Sequence, residues 1–227
     1  MAEKSAAASP VILAMDTSIG NCSVALIAGG VVIGQLEAEE TGQQSSVLVP
    51  LLEQVLEENG LTYHDCDAIA CSIGPGGFTG IRVGLTTARA IALVSGKPMI
   101  GISTLENTAY NARLEGDILA VINAWRGQYY VQRFRSNGTL IALSAPMLVD
   151  EPMLKPLAHG AKMVEKPLHA AGVALLAHSK WERGEREFPV DPLYIRPPDA
   201  KLPQPERIPS HAEAGILAGS QGLSGAK

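Results

Sequence analysis

Residues 74–85 constrain this chain most, because a buried strand, a glycine turn and a helix meet there without a break. The apolar run at 68–73 predicts the strand. Thr79 is expected to cap a helix that continues to Ser95 and ends at Gly96. The sequence therefore predicts an α/β fold around this unit.

Small residues recur at every fourth position of that helix, at Gly80, Gly84, Ala88 and Ala92, and so share one face. A glycine inside a helix costs about 1 kcal/mol relative to alanine. The stripe therefore indicates close backbone approach, either to the chain's own sheet or to a helix of another molecule. The residues alone leave both alternatives open.

The glycine turn lacks the signature of a nucleotide-binding loop. Ile81 and Arg82 stand where a Walker loop has its lysine and hydroxyl, and Thr79 stands where the dinucleotide fingerprint has its third glycine. An anion could still bind the free N–H groups of the helix N-terminus. A purely conformational turn is the favoured interpretation.

The flanking segments predict two related halves. In the first half, strands are expected at 11–16, 22–28, 31–37 and 98–103, with helices at 46–59 and 105–113. Three strands followed by alternating helices and strands are typical of a ribonuclease-H-like half with a mixed sheet. In the second half, strands are expected at 118–124, 128–135 and 139–143. Residues 150–166 are rich in proline and polar side chains. A helix at 167–183 and an extended arm at 189–198 are expected after them.

Charge and cysteine content limit the function. The net charge is −5, and residues 1–100 carry 10 acidic and 4 basic side chains, which disfavours tight direct binding of RNA. Cys22, Cys66 and Cys71 contain no close pair, as expected in a reducing compartment. Residues 1–9 lack the apolar segment of a signal peptide, and no apolar run is long enough to span a membrane. The cytoplasm is the expected location.

Two segments could hold functional groups. Asp16, Thr17 and Ser18 follow the first strand and form either an active-site edge or a turn in which the side chains bond to their own backbone. Residues 123–127 contain Arg126, which could bind a phosphate or carboxylate or pair with an acid of the chain itself. The histidines lack the spacing of a helical metal site and are expected at the surface: His64, His159, His169, His178 and His211.

Four segments in order, at 12–18, 74–85, 101–105 and 193–201, resemble the TsaB (YeaZ) family of bacterial tRNA threonylcarbamoyladenosine biosynthesis proteins. The resemblance covers residues 11 to about 202. It implies two ribonuclease-H-like halves of the actin/Hsp70-like ATPase fold, with mixed sheets and flanking helices. The implied organisation is a disordered extension at 1–9, domains at 10–104 and 105–202, and a flexible tail at 203–227.

The resemblance also implies a function. Such a protein is a non-catalytic partner and activator of TsaD, which acts with TsaE to transfer a threonylcarbamoyl group to N6 of adenosine 37 in tRNAs reading ANN codons. Alone it would form a homodimer, and it would meet tRNA only through the complex. No catalytic residue, metal or intrinsic cofactor is implied, and a nucleotide at the TsaD junction is left open. The alternatives are a metallopeptidase or a sugar-kinase-like phosphotransferase of the same superfamily.

The implied partner surface lies on the helices at 46–59 and 79–95. Its residues are Leu48, Leu51, Leu52, Val55, Thr79, Gly80, Val83, Gly84, Thr87, Ala88 and Ile91. Asp16, Thr17 and Ser18 would be a vestigial phosphate loop. With the resemblance, the small-residue stripe is interpreted as facing the partner, so a bulky residue at Gly84 or Ala88 is expected to abolish association and leave the fold intact.

The chain departs from the family pattern at four positions. Gly77 replaces a common serine, Gln44 a common histidine, and Asn123 and Trp125 an aspartate and an arginine. The last two put a conventional charge network in the second half in doubt.

Overall fold

The computed structural model describes residues 10–38, 43–165, 168–185 and 190–196, which belong to one compact unit ending at Arg196. The strands within these ranges are β1 Val11–Asp16, β2 Ser23–Ala28, β3 Val31–Glu37, β4 Ala68–Gly74, β5 Met99–Ser103, β6 Gly116–Asn123, β7 Gln128–Ser136, β8 Leu140–Ala142, β9 Met147–Asp150 and β10 Lys162–Val164. The helices are α1 Gln44–Glu58, α2 Phe78–Ser95, α3 Thr104–Asn111, α4 Leu154–Leu157 and α5 Ala170–Glu182, and a 3₁₀ turn covers Glu151–Met153.

The first sheet has the strand order β3-β2-β1-β4-β5. β1, β2 and β3 form an antiparallel meander, whereas β4 and β5 run parallel to β1. Gly29 and Gly30 make the β2–β3 turn, both with positive φ, because a two-residue hairpin turn of this type needs left-handed backbone. The sheet therefore has the predicted ribonuclease-H-like arrangement.

The second sheet repeats part of this pattern. Its order is β10-β6-β7-β8, with β9 also paired to β7. β6, β7 and β8 are antiparallel and β10 is parallel to β6, as β4 is to β1 in the first sheet. The predicted mixed α/β architecture with two sheets is confirmed.

Helices cover both faces of the first sheet. α1 and α2 contact each other and pack on one face, where Leu52, Leu85 and Ala88 join Leu13 and Cys71 in one apolar core. α5 packs on the opposite face against Ile12, Ala14 and Ile102. The strands of this sheet are apolar on both sides because both sides are buried.

The second sheet packs differently. α3 covers one face, with Leu105 and Ala109 against Ile118 and Ala120. The short turn and α4 cover the other, where Leu154 and Leu157 contact Val121 and its neighbours. Thus α5, from the second half of the chain, packs on the first sheet, although the sequence does not indicate which sheet it covers. The division at 104/105 stays a prediction.

The secondary structure differs from the sequence analysis in one missed segment and one wrong helix cap. Residues 150–166, for which no element was predicted, contain the end of β9, the 3₁₀ turn, α4 and β10, which are too short to give a periodic pattern. Thr79 does not cap α2, because the helix begins at Phe78 and its N-cap is Gly77, without a side-chain hydrogen bond. Gly96 ends the helix with φ +68°, as predicted.

Some predictions lie outside the described residues. These concern the disordered extension at 1–9, the end of the arm after Arg196, the tail at 203–227 and His211. Among the helices that the structure describes, none combines the length and apolar character needed to cross a bilayer.

Candidate functional site

The loop after β1 is a closed turn. Asp16 is only 2% exposed, and its Oδ1 accepts hydrogen bonds from the backbone N of Ser18 at 2.9 Å and from Ser18 Oγ at 2.7 Å. Its Oδ2 accepts one from Asn107 Nδ2 of α3 at 3.3 Å. Both carboxylate oxygens are therefore engaged by the protein's own donors, and the turn interpretation of this segment describes the geometry found.

The small-residue stripe of α2 packs directly on this loop. Thr17 Oγ1 donates a hydrogen bond to the carbonyl of Gly80 at 2.7 Å. A Cβ atom added at Gly80 would clash with the carbonyl oxygen of Thr17, and one added at Gly84 would clash with Thr17 Oγ1. The glycines thus allow close approach inside the molecule.

The glycine turn before α2 seals the same loop from another side. The backbone N of Gly77 donates to the carbonyl of Ser18 at 2.7 Å, and a Cβ atom at Gly76 would clash with that carbonyl. Gly74 has φ +101°, which a residue with a side chain rarely adopts. The turn and the first part of the helix within 68–95 therefore pack closely against the loop that follows β1.

These contacts correct part of the expected partner surface. Six of its residues lie buried in this structure, against the protein's own sheet and the β1 loop: Leu48, Leu52, Val55, Gly80, Gly84 and Ala88. The expectation that a bulky residue at Gly84 or Ala88 leaves the fold intact is contradicted by this packing. Buried side chains are unavailable to a partner, because the sheet already contacts them.

The other five expected residues are at least partly exposed: Leu51, Thr79, Val83, Thr87 and Ile91. Whether a partner binds them stays a prediction. Nearby apolar side chains that the sequence reasoning missed are more exposed, with Leu93 at 84%, Val94 at 80% and Phe78 at 51% on α2. The adjacent Leu93 and Val94 lie on the polar side of an amphipathic helix, and this departure from the pattern could have revealed exposed apolar side chains.

The arm at 190–196 lies along α2. The backbone N of Leu193 donates to the carbonyl of Ile73 at 2.8 Å, and Leu193 packs into the core beneath α1 and α2. Arg89 Nη2 donates to Val190 O and Asp191 Oδ1, both at 3.0 Å. None of the residues 190–196 lies in a helix or a strand, and the backbone N of Tyr194 donates to the carbonyl of Pro192 at 3.1 Å, so the extended form of the arm stays a prediction.

Tyr194 joins the arm to the first turns of α2. Its ring stacks on Phe78 with 5.6 Å between centroids, and its hydroxyl accepts a hydrogen bond from Arg82 Nε at 3.0 Å. The guanidinium carbon of Arg82 lies 3.7 Å from the centroid of the Phe78 ring. Farther along, Arg196 Nη2 donates to Gln128 Oε1 of β7 at 2.8 Å, so the arm reaches the second sheet.

The second candidate segment is a tight turn between β6 and β7. Trp125 and Arg126 have φ near +59° and +57°, and Asn123 Oδ1 accepts a hydrogen bond from the backbone N of Trp125 at 2.7 Å. The structure does not bring this turn to Asp16, whose partners are Ser18 and Asn107. Asn123 has a clear structural use here, because its side chain closes the turn.

The three cysteines are buried. Burial raises the pKa of the Cys22 and Cys66 thiols to about 11 and that of Cys71 to about 12. These thiols stay protonated at neutral pH and are poor nucleophiles. Within the described ranges, no three His, Cys, Asp or Glu side chains come close enough together to hold a metal ion.

A family comparison gives a match over more than half of the chain. The family described as TsaD, tRNA N6-adenosine threonylcarbamoyltransferase, matches residues 38–165. The chain is 39% identical over 152 residues to the tRNA threonylcarbamoyladenosine biosynthesis protein TsaB of Escherichia coli, covering 63% of this chain and 65% of that protein. It is 35% identical over 136 residues to TsaB of Buchnera aphidicola, covering 59% and 64%.

These alignments span just under two thirds of the length of those two relatives. Among solved structures, YeaZ from Pseudomonas aeruginosa superimposes with a TM-score of 0.70 and 24% identity, covering 82% of this chain and 99% of that one. At this identity the superposition shows a common fold.

Proposed function

Because the chain belongs to the TsaD family and to its TsaB (YeaZ) branch, we propose that it is a non-catalytic partner and activator of a TsaD-type threonylcarbamoyltransferase. The complex would act with TsaE and form threonylcarbamoyladenosine at position 37 of tRNAs reading ANN codons. The names of the relatives support a role in threonylcarbamoyladenosine biosynthesis. The structure of α1 and α2 supports the role as a binding partner.

The observation that carries the partner role is the exposed apolar surface of α2. Leu93 and Val94 are 84% and 80% exposed, and Val49 on the adjoining α1 is 42% exposed. Val83 and Ile91, also on α2, are partly exposed. Exposed apolar side chains on two packed helices are typical of a helix-mediated protein interface, where water is removed from both partners. A second copy of the chain could cover this surface when TsaD is absent.

The sealed β1 loop supports a non-catalytic role. In open α/β sheets, ligands bind beyond the carboxyl ends of the strands. Here the space around the loop is filled by the backbone of Gly76 and Gly80 and by the side-chain amide of Asn107. Both carboxylate oxygens of Asp16 accept hydrogen bonds from donors of the same chain. A carboxylate held in this way stabilises a turn. Any nucleotide would then bind at the junction with TsaD.

Charge supports contact with tRNA through the complex. The first 100 residues carry 10 acidic and 4 basic side chains, so the half that bears α1 and α2 repels a polyanion. The TsaD-type partner would then supply most of the phosphate contacts.

The proposal is tested by replacing Leu93 with aspartate and measuring binding to the TsaD protein of the same organism by calorimetry. We expect the affinity to fall about tenfold or more, because the carboxylate would be desolvated at the interface. Ile141→Asp is the matched control, since Ile141 is 56% exposed on β8 of the second sheet. Equal affinities of both variants and the wild type would contradict the proposed surface.

Activity is tested by reconstitution with TsaD, TsaE, a carbamoyl-adenylate synthase, ATP, threonine, bicarbonate and tRNA, leaving out each protein in turn. Modified adenosine should form only when this chain and TsaD are both present. Peptidase or sugar phosphorylation activity of the chain alone would instead favour one of the alternative enzymatic functions.

A further inference from the structure

Arg82 is held rigidly on the outer side of α2. Its guanidinium lies over the ring of Phe78 at 3.7 Å, and its Nε donates to the hydroxyl of Tyr194 at 3.0 Å. Tyr194 in turn stacks on Phe78 and is fixed by the neighbouring bond from Leu193 to Ile73. An exposed arginine normally samples many rotamers, so these contacts restrict it to one orientation.

The outer edge of this guanidinium is open to a ligand. Within the part of the chain that the structure describes, the Nη1 and Nη2 groups of Arg82 have no hydrogen-bond acceptor. Phe78 and Tyr194 are 51% and 44% exposed, so an incoming group would find two aromatic surfaces around the cation. Two parallel N–H groups match the two oxygens of a carboxylate or phosphate.

A second arginine of α2 provides the contrast. Arg89 lies seven residues farther along the same side of the helix, yet its Nη2 already donates to Val190 and Asp191 of the arm. The arm therefore neutralises the guanidinium of Arg89, whereas it orients the guanidinium of Arg82 without neutralising it.

We propose that Arg82 is an anchor for a carboxylate of the TsaD-type partner and that Tyr194 is its positioning residue. This proposal rests on the proposed function, because it assigns the chemistry of one contact in that interface. Arg82 is adjacent to Val83 and one turn from Thr79 and Thr86, so it borders the partly exposed face of α2. Tyrosine and arginine are among the residues enriched at energetically dominant interface positions.

The surrounding charge favours a protein carboxylate over a nucleic-acid phosphate. α1 exposes Glu53, Glu57 and Glu58, and residues 1–100 are acidic overall. The acidic charge of this half would therefore repel a polyanion, whereas a single carboxylate carries one charge and could bind the Arg82 guanidinium.

The arm lowers the entropic cost of this contact. A guanidinium already fixed by a ring and a hydroxyl loses little freedom when a carboxylate binds. Removing the Tyr194 hydroxyl should leave the stacking with Phe78 in place but free the Nε of Arg82, so Tyr194→Phe separates positioning from packing.

The experiment measures the affinity of the full chain for TsaD by calorimetry at two salt concentrations. Arg82→Glu should weaken binding by about 30-fold or more, and Tyr194→Phe by about threefold. Lys162→Glu is the control, because it makes the same change of charge on an exposed residue of β10. The effect of Arg82→Ala should shrink as salt rises, since a partly exposed ion pair is screened. Melting temperatures are recorded for every variant.

The outcomes are separable. Failure of the wild-type chain to bind TsaD would overturn the proposed function itself. Binding by the wild type with unchanged affinity of Arg82→Glu would overturn only the anchor. Binding of tRNA by the isolated chain that is lost in Arg82→Glu, with TsaD affinity intact, would show that the group recognised is a phosphate.

Discussion

The two sides of α2 differ in the size of their residues and in their exposure. The inner side is buried: Gly80 and Gly84 lie against Thr17 of the β1 loop, and Ala88 lies in the apolar core. The outer side carries Arg82 and Leu93, is exposed, and contacts the arm or solvent. The small residues allow close approach within the molecule, and the large residues are left available for another molecule.

This contrast separates two properties that sequence reasoning had merged. A glycine in a helix signals that something comes close, but it does not say whether that neighbour belongs to the same chain. In this protein the neighbour is Thr17. Changes on the inner side should therefore alter the free energy of unfolding, and changes on the outer side should alter affinity.

The largest expected effect tests the inner side. Gly80→Ala should lower the free energy of unfolding by about 3 kcal/mol, because its Cβ would clash with the Thr17 carbonyl and the backbone must shift. Urea denaturation measures it. Ala90→Leu on the exposed side is the control and should change stability by less than about 0.5 kcal/mol. Unchanged stability of Gly80→Ala together with lost TsaD binding would restore the partner-facing interpretation of the stripe.

A smaller effect is expected in the loop that the inner side covers. Asp16→Ala should cost about 2 kcal/mol, since Ser18 and Asn107 would lose an acceptor for buried donors. Asp191→Ala, which removes a carboxylate that is 91% exposed, should cost less than about 0.5 kcal/mol. At a temperature where the Asp16 variant is folded, tRNA modification by the complex should be largely retained. Loss of modification with normal assembly would indicate a chemical role for Asp16.

A pH-dependent effect tests how well α2 shields the core. Burial raises the pKa of Cys71 to about 12 from a usual 9.0, so the unfolded state loses this proton at lower pH than the folded state. The stability associated with the neutral thiol is present below pH 9 and is lost as pH rises from 9 towards 12. From pH 7 to pH 10 the wild type should lose about 1.4 kcal/mol more than Cys71→Ala. Parallel urea titrations compare them, and an equal loss in both proteins would show that the thiol is not shielded.

The smallest effect concerns the turn before the helix. Gly77→Ser should stabilise the protein by about 0.5 kcal/mol, because φ −67° suits serine, its Cβ would lie 3.5 Å from the Ser18 carbonyl, and its hydroxyl could cap α2. Gly76→Ser should destabilise, since its Cβ would clash with that carbonyl. Thermal melts distinguish the two. A destabilised Gly77→Ser would show that the turn has less space than the structure gives it.

Most elements of the first sheet could be predicted because each has a strong local signal. The apolar runs at 11–16 and 68–73 predicted the bounds of β1 and β4 to within one residue, and Gly96 correctly predicted the end of α2. The segment at 150–166 could not be predicted, because strands of three or four residues have too few positions to show a period. The buried half of the expected partner surface was wrong for a different reason, since periodicity shows that a helix has two sides but not what covers each.

The sequence by itself determined the family, the mixed α/β architecture and the stretch where strand, turn and helix meet, because motifs and periodicity are local properties of a chain. Only the tertiary structure decided that Thr17 fills the space beside Gly80 and Gly84, that α5 covers the first sheet, and that Tyr194 returns to orient Arg82. Tyr194 and Arg82 are separated by 112 positions. Such contacts form only when segments that are remote in the sequence fold against each other, and a local sequence pattern does not show which remote segments will meet.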